Sequence, residues 1–360
     1  MGIASKPRLD WVDYAKGICI FAVVSMYSNN LTTELMGGSG WLQYWADFAK
    51  PFRMPDFFLL SGLFLGRVIH KNWRGYFDKK VVHYLYFFLL WTFINLLILF
   101  GENKLYGGDV YEFIQQLWRK STSWPWKMMW FIQMLPAYFL FARITVRVPV
   151  VIILIVASVL QAFPQIVEAV VHAVPPLQGD RVLVDEFWKR YIFFYVGYIG
   201  APYFFKFAEY IKNKVLFGVV GLVVWIAVNG SLVNMGLAEK PFVGLFLGIV
   251  GATAIITLGA IASNFRIARW ISYLGKNSIV VYLAFYWPTK LAIDALAGVD
   301  ILTRDLGTFC AIVTFIGVFA AIAAFWVVRE SQYTRWLFER PKWLSVGSYE
   351  PKSAIASGKL

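Results

Sequence analysis

Long apolar runs recur along the whole chain, and each is close to the length that crosses about 30 Å of hydrocarbon. Ten can be read, near 11–28, 52–69, 81–100, 128–143, 148–163, 190–205, 215–235, 241–263, 277–298 and 306–328; the stretch 148–174 also fits one long span broken at Pro164. Inside lipid the backbone must satisfy its own polar groups, so a series of such segments forces helices. The predicted fold is an all-α polytopic integral membrane protein, a bundle of about ten transmembrane helices. Composition agrees, with 59% hydrophobic and 15% charged residues, unlike a soluble domain. Lys6 and Arg8 precede the first run, but Asp10, Asp13 and Lys16 interrupt its start and no small-residue cleavage site follows. It therefore reads as a retained helix rather than a secretory peptide.

Charge placement is consistent with that topology. With ten spans and a cytoplasmic N-terminus, the C-terminus is cytoplasmic too, and the inner segments carry about twice the lysine and arginine of the outer ones. The net charge of +13 then follows from topology and from contact with anionic membrane lipid, with no nucleic acid partner. The residues 331–360 form a polar, basic tail on the cytoplasmic side. Cys19 and Cys310 both fall inside predicted spans, which argues against a disulfide framework. His70, His83 and His172 are scattered, without metal-ligand spacing. No nucleotide-binding fingerprint or short repeat is present, and the absence of matching halves disfavours a transporter built on inverted repeats.

Ionisable groups within spans cost about 2.5–3.5 kcal/mol each at a helix centre, so their spacing carries information. Asp13 and Lys16 are three apart and share a helix face. They fit a snorkelling lysine with its neutralising partner, or the polar wall of a cavity. Tyr27 follows Lys16 by eleven residues, which returns it to within roughly 20° of the same stripe, about 16 Å further along. Its neighbours Ser25, Ser28, Asn29 and Asn30 are equally consistent with a plain helix exit. In Lys50-Pro-Phe-Arg-Met-Pro-Asp56, Arg53 and Asp56 are again three apart around a proline that weakens the backbone ladder. That pattern fits an interfacial charge pair or a start that faces a wet cavity. Between 67 and 80, Arg67, Lys71, Arg74, Lys79 and Lys80 stand against one acid, Asp78, with His83 just beyond. The patch suits a positive-inside anchor, or a docking surface for a phosphate-rich donor such as a coenzyme A thioester.

The stretch from Trp11 to Tyr27 resembles the first helix of the membrane-bound acyltransferases of the acyltransferase 3 type, which modify bacterial envelope glycans. In most of that family the slot of Tyr27 is a histidine. Phe52-Arg-Met-Pro-Asp-Phe-Phe-Leu-Leu-Ser-Gly62 is similar to the start of the family's second helix. Lys80-Val-Val-His83 falls where the family has an arginine pair of the same spacing. Trp130-Phe-Ile-Gln-Met-Leu-Pro136 looks like its tryptophan-phenylalanine span. Leu274-Gly-Lys-Asn-Ser-Ile-Val-Val-Tyr-Leu283 is similar to a late segment followed in many members by a histidine, where this chain has Phe285. The likeness runs from about Leu9 to Val328.

The resemblance implies one transmembrane acyltransferase-like domain over 1–330 in the bacterial inner membrane, with a site between the first three helices. It implies O-acyl transfer, acetyl or succinyl, from cytoplasmic acyl-CoA to a hydroxyl of an envelope glycan or lipid-linked sugar on the outer face. Acyl-CoA is then a donor substrate, and no resident cofactor or metal is expected. Tyr27, Lys16 and Asp13 form the expected catalytic set. Arg53, Asp56, Ser61, Arg74, Lys79, Lys80 and His83 form the expected substrate-binding set. Tyrosine is a weaker base than histidine, with an ordinary pKa near 10. Either Asp13, Asp56 or His83 therefore supplies the base, or a cation activates Tyr27, or the phenol stabilises the oxyanion instead. Two other readings stand beside this one: a family member that binds these ligands as a regulator or partner without transfer, and a lipid or glycan transporter of unrelated mechanism.

Overall fold

The computed structural model describes residues 10–102, 109–123, 125, 127–174, 181–331 and 333–346. Lys6, Arg8 and the tail beyond Val346 lie outside them. Among the described residues every regular element is helical. In chain order the α-helices are α1 (Asp10–Met36), α2 (Leu42–Ala49), α3 (Arg53–Gly62), α4 (Trp73–Phe77), α5 (His83–Gly101), α6 (Val110–Thr122), α7 (Trp130–Ile144), α8 (Val150–Ala162) and α9 (Pro164–Ala173). They continue with α10 (Arg181–Asn213), α11 (Val215–Asn234), α12 (Val243–Ala262), α13 (Arg269–Lys276), α14 (Ser278–Ala284), α15 (Tyr286–Leu296), α16 (Asp300–Thr303) and α17 (Leu306–Glu330). A π-helical turn, Asp78–Val82, joins α4 to α5.

Five stretches are long and apolar enough to cross a membrane: Trp73–Gly101, Val110–Arg147, Val215–Asn234, Val243–Ala262 and Leu306–Glu330. Counting two bent pairs as one span each raises the number to seven. One pair is α8 and α9, which meet at 93° at Pro164, the break read from sequence. The other is α14 and α15, which meet at 50° at Phe285. The remaining three predicted spans differ for identifiable reasons. Within 52–69, α3 is only ten residues long, about 15 Å, so it cannot cross alone. The runs 11–28 and 190–205 lie in the long helices α1 and α10, where polar and charged residues interrupt the apolar pattern.

The chain divides into two compact units. One comprises Met1–Phe64, Val150–Val170 and Trp188–Glu330. Its centre is α1, which packs on α12, α13, α17 and α3 and is buried on nearly every side. The approach of α13 is set by two glycines. A Cβ on Gly17 would lie 2.0 Å from the Ile271 carbonyl oxygen, and one on Gly275 would lie 1.7 Å from that of Asp13. Only glycine permits this backbone-to-backbone contact, the small-residue packing that lipid-embedded helices favour.

The other unit comprises Leu65–Pro149, Val171–Phe187 and Ser331–Leu360. Here α5 packs on α6 and α7. The Tyr76 hydroxyl donates to the Phe139 carbonyl at 2.6 Å, and Arg143 donates to the Lys71 carbonyl at 2.8 Å while lying over the rings of Trp73 and Tyr76. The loop before α4 is thus clamped to α7. The described tail residues, 333–346, belong to this same unit.

Candidate functional site

In the first unit, α1 and α3 bring together four of the residues expected from sequence, Lys16, Tyr27, Arg53 and Asp56. Asp56 is 1% exposed, and its carboxylate meets the thiol of Cys19, itself fully buried. Lys16, one turn before Cys19, lies within electrostatic reach of that thiol and has its Nζ 5.8 Å from the Phe64 ring. Arg53 is buried and has Asp56, Tyr27, Arg190 and Asp47 as charged or polar neighbours. Its Nη1 donates to the Ala46 carbonyl at 3.4 Å. Carboxyl, guanidinium and thiol are therefore buried together, with the half-buried amine of Lys16 beside the thiol and the half-buried phenol of Tyr27 beside the guanidinium.

Local sequence explains the placement. Pro55 falls in the first turn of α3, where a missing N–H has no intrahelical partner to lose. The expected weakening of the ladder by this proline does not occur: the Asp56 N–H donates to the Phe52 carbonyl at 2.9 Å. Arg53 and Asp56 are held on a regular turn. Ser61 spends its hydroxyl on the Phe57 carbonyl at 2.8 Å, one turn back in the same helix. Asp13 is buried at the start of α1, where α13 presses against its carbonyl.

Tyr27 is half-buried, with its ring 5.4 Å from that of Phe285 at the break between α14 and α15. Two residues on, Asn29 donates to Gln43 at 2.8 Å, and Gln43 donates to Asp47 at 2.9 Å. This polar chain along α2 ends beside Arg53. Farther out, Lys50 pairs with Glu239. The lysine beside it holds the Glu239 carboxyl below the usual range through that hydrogen bond. Spacing signals Cys19, which comes one turn after Lys16. No sequence rule points to Gln43 or Arg190, because their roles come from tertiary packing.

In the second unit, the four expected donor-binding residues separate by burial. Arg74 and Lys79 are exposed, whereas Lys80 and His83 are half-buried. The Lys80 Nζ sits 4.3 Å over the Phe139 ring, a cation–π contact worth about 0.5–2 kcal/mol. His83 meets Tyr84 and Phe87 edge-on at 5.3 and 5.2 Å. Its charged neighbours are Arg340, Lys80 and Asp78. Arg340 comes from the tail, where its sequence context makes it only one of several cations.

No group of three or more metal-ligating side chains occurs among the described residues, and both cysteines are free. No curated protein and no solved structure matches the chain. One family model does: the acyltransferase domain of the acyltransferase 3 family, over residues 9–329. With its apolar helices and nearly its whole length matched, this chain is a multi-pass membrane protein and belongs to the acyltransferase 3 family.

Proposed function

We propose that the protein transfers an acetyl or succinyl group from cytoplasmic acyl-CoA to a hydroxyl of an envelope glycan or lipid-linked sugar at the outer face of the bacterial inner membrane. The observation that carries this reading is the buried group of Asp56, Arg53 and Cys19, with half-buried Lys16 and Tyr27 beside it, in a chain of the acyltransferase family. Charged and polar groups cost energy at such a place, and their retention there marks a functional site. In the proposed topology about ten segments cross the bilayer, with the bent pairs among them and both termini cytoplasmic.

The acceptor hydroxyl attacks the thioester carbonyl, forming the ester C–O bond as the C–S bond breaks. Asp56 takes the hydroxyl proton, and the departing thiolate receives a proton to leave as free coenzyme A. Tyr27 donates a hydrogen bond to the developing oxyanion, and Arg53 supports the negative charge nearby. Lys16 and Asp13 shape the inner half of the path. Lys80 and His83, with the exposed Arg74 and Lys79, hold the donor phosphates.

The test is mass spectrometry of envelope glycans and lipids from wild type, a deletion strain, and the deletion complemented with the gene. An acyl mass present in wild type, lost on deletion and restored by complementation is expected; identical spectra from all three would sink the proposal. A second reading, a member that binds these ligands as a partner without transfer, is favoured by one observation: Tyr27 and Phe285 fill two slots that the family commonly gives to histidine, and their rings pack together. Purified protein that binds acyl-CoA without turnover would favour it. Within the catalytic reading, Lys16→Ala is expected to lower transfer at least about tenfold, and Lys71→Ala to change it less than twofold. Equal, small effects in an in vitro transfer assay would leave Lys16 as a snorkelling side chain.

A further inference from the structure

The C-terminal segment lies along α5 and the π turn before it, in the opposite direction. Trp91 Nε1 donates to the Leu337 carbonyl at 2.9 Å, and the Tyr86 hydroxyl to that of Trp336 at 2.6 Å. The Phe338 and Trp91 rings are 5.4 Å apart. The segment then reaches Asp78, the first residue of the π turn. Arg340 binds it twice, with Nη2 2.8 Å from Oδ2 and Nη1 2.9 Å from the Asp78 backbone carbonyl. Ser345 donates to Oδ2 at 3.3 Å, and the Val346 N–H to Oδ1 at 2.9 Å. The Arg340 and Asp78 side chains are only 13% and 8% exposed.

The carbonyl that Arg340 holds is the one that closes the π turn, since it also accepts the His83 N–H. A π turn inserts one residue into the α ladder and rotates the helix beyond it, and such turns occur frequently at functional sites. Lys80 lies within this turn, and His83 is the first residue after it. An arginine fork can satisfy a carboxylate and a carbonyl together, whereas a lysine ammonium is a point charge without that fixed geometry.

We infer that Arg340 is a positioning residue: by clamping Asp78 it fixes the π turn, and so the placement of Lys80 and His83 for the phosphates of the donor. The inference rests on the proposed donor role of those two residues, and its test separates the two. Detergent-purified wild type, Arg340→Gln, Arg340→Lys and the exposed-tail control Arg335→Gln are compared by two readouts. The first is acyl-CoA kinetics. Arg340→Gln is expected to raise KM for acyl-CoA about tenfold with kcat within twofold, Arg340→Lys to show an intermediate rise, and Arg335→Gln to behave as wild type.

The second readout needs no turnover: the rate at which diethylpyrocarbonate modifies His83, followed by peptide mass spectrometry. Loosening of the turn is expected to raise that rate at least about fivefold in Arg340→Gln, with the modification rate of His172 unchanged as an internal standard. If wild type shows no transfer, the donor reading fails, while the labelling still decides whether Arg340 fixes the turn. Unchanged labelling of His83 in folded Arg340→Gln overturns the inference, as does an unchanged KM in an active enzyme. If Arg340→Gln does not fold, Arg340→Lys, which keeps the charge and loses the fork, carries both readouts.

Discussion

Gly275→Val is expected to abolish accumulation of folded protein, while Gly221→Val is expected to leave it near the wild-type level. The Cβ of the new valine would lie 1.7 Å from the Asp13 carbonyl oxygen, 2.7 Å from its carbon and 2.8 Å from the Gly17 nitrogen. All three are backbone atoms of α1, so no side chain can swing aside. Overpacking that side chains absorb costs about 1–3 kcal/mol, and separation of two backbones costs more, because α1 also packs on α12, α17 and α3. At Gly221, on α11, a Cβ meets nothing within 4 Å. The measurement is size-exclusion chromatography of fluorescent fusions in mild detergent. A sharp, full-height peak for Gly275→Val would show that α13 can move away from α1 without loss of the fold.

That glycine illustrates how much of the molecule is legible in the sequence. The helical membrane class follows from apolar runs of bilayer length, and the bend at Pro164 follows from proline chemistry. The span count is less legible, because it treats every apolar run as a straight crossing. At 52–69 the helix stops after Gly62, and at 277–298 it bends at Phe285, three residues before Pro288, whose missing N–H leaves the Ala284 carbonyl without its helical partner. The three-residue spacings of Asp13 with Lys16 and of Arg53 with Asp56 mark charged faces on α1 and α3. They do not reveal the neighbours across the bundle. Cys19 meets Asp56 from another helix, Arg190 comes from α10 and Arg340 from the tail. Their separation in sequence leaves no periodic trace. Ser61 and the exposed Lys79 stand out in the sequence by residue type alone, and geometry distinguishes them from the enclosed groups.

Asp56→Asn is expected to lower acyl transfer by about 100-fold or more, the range that a general base supplies, without loss of folded protein. Asparagine keeps the size of the side chain and its ability to accept a hydrogen bond, but it cannot take up the acceptor's proton. Tyr27→Phe removes only the phenol hydroxyl. If Tyr27 stabilises the oxyanion, its loss costs about 2.7–4 kcal/mol in kcat, a factor of 10²–10³. Since the two losses are similar in size, magnitude does not separate base from oxyanion donor, and a third variant does. Tyr27→His restores the residue type that most of the family carries at this slot, with an ordinary pKa near 6.5. Combined with Asp56→Asn it provides a second proton acceptor, half-buried on α1 near Arg53. The double variant is expected to recover at least about tenfold of the activity lost in Asp56→Asn, and its rate is expected to fall at acid pH as the imidazole protonates, at a point that burial and Arg53 set below the ordinary histidine value. Purified protein with acyl-CoA and a soluble sugar acceptor, followed by thiol release and by product mass, provides the measurement. Wild-type rates in Asp56→Asn would remove Asp56 from the chemistry. No recovery in the double variant, with both single variants folded, would place the proton acceptor away from the Tyr27 slot.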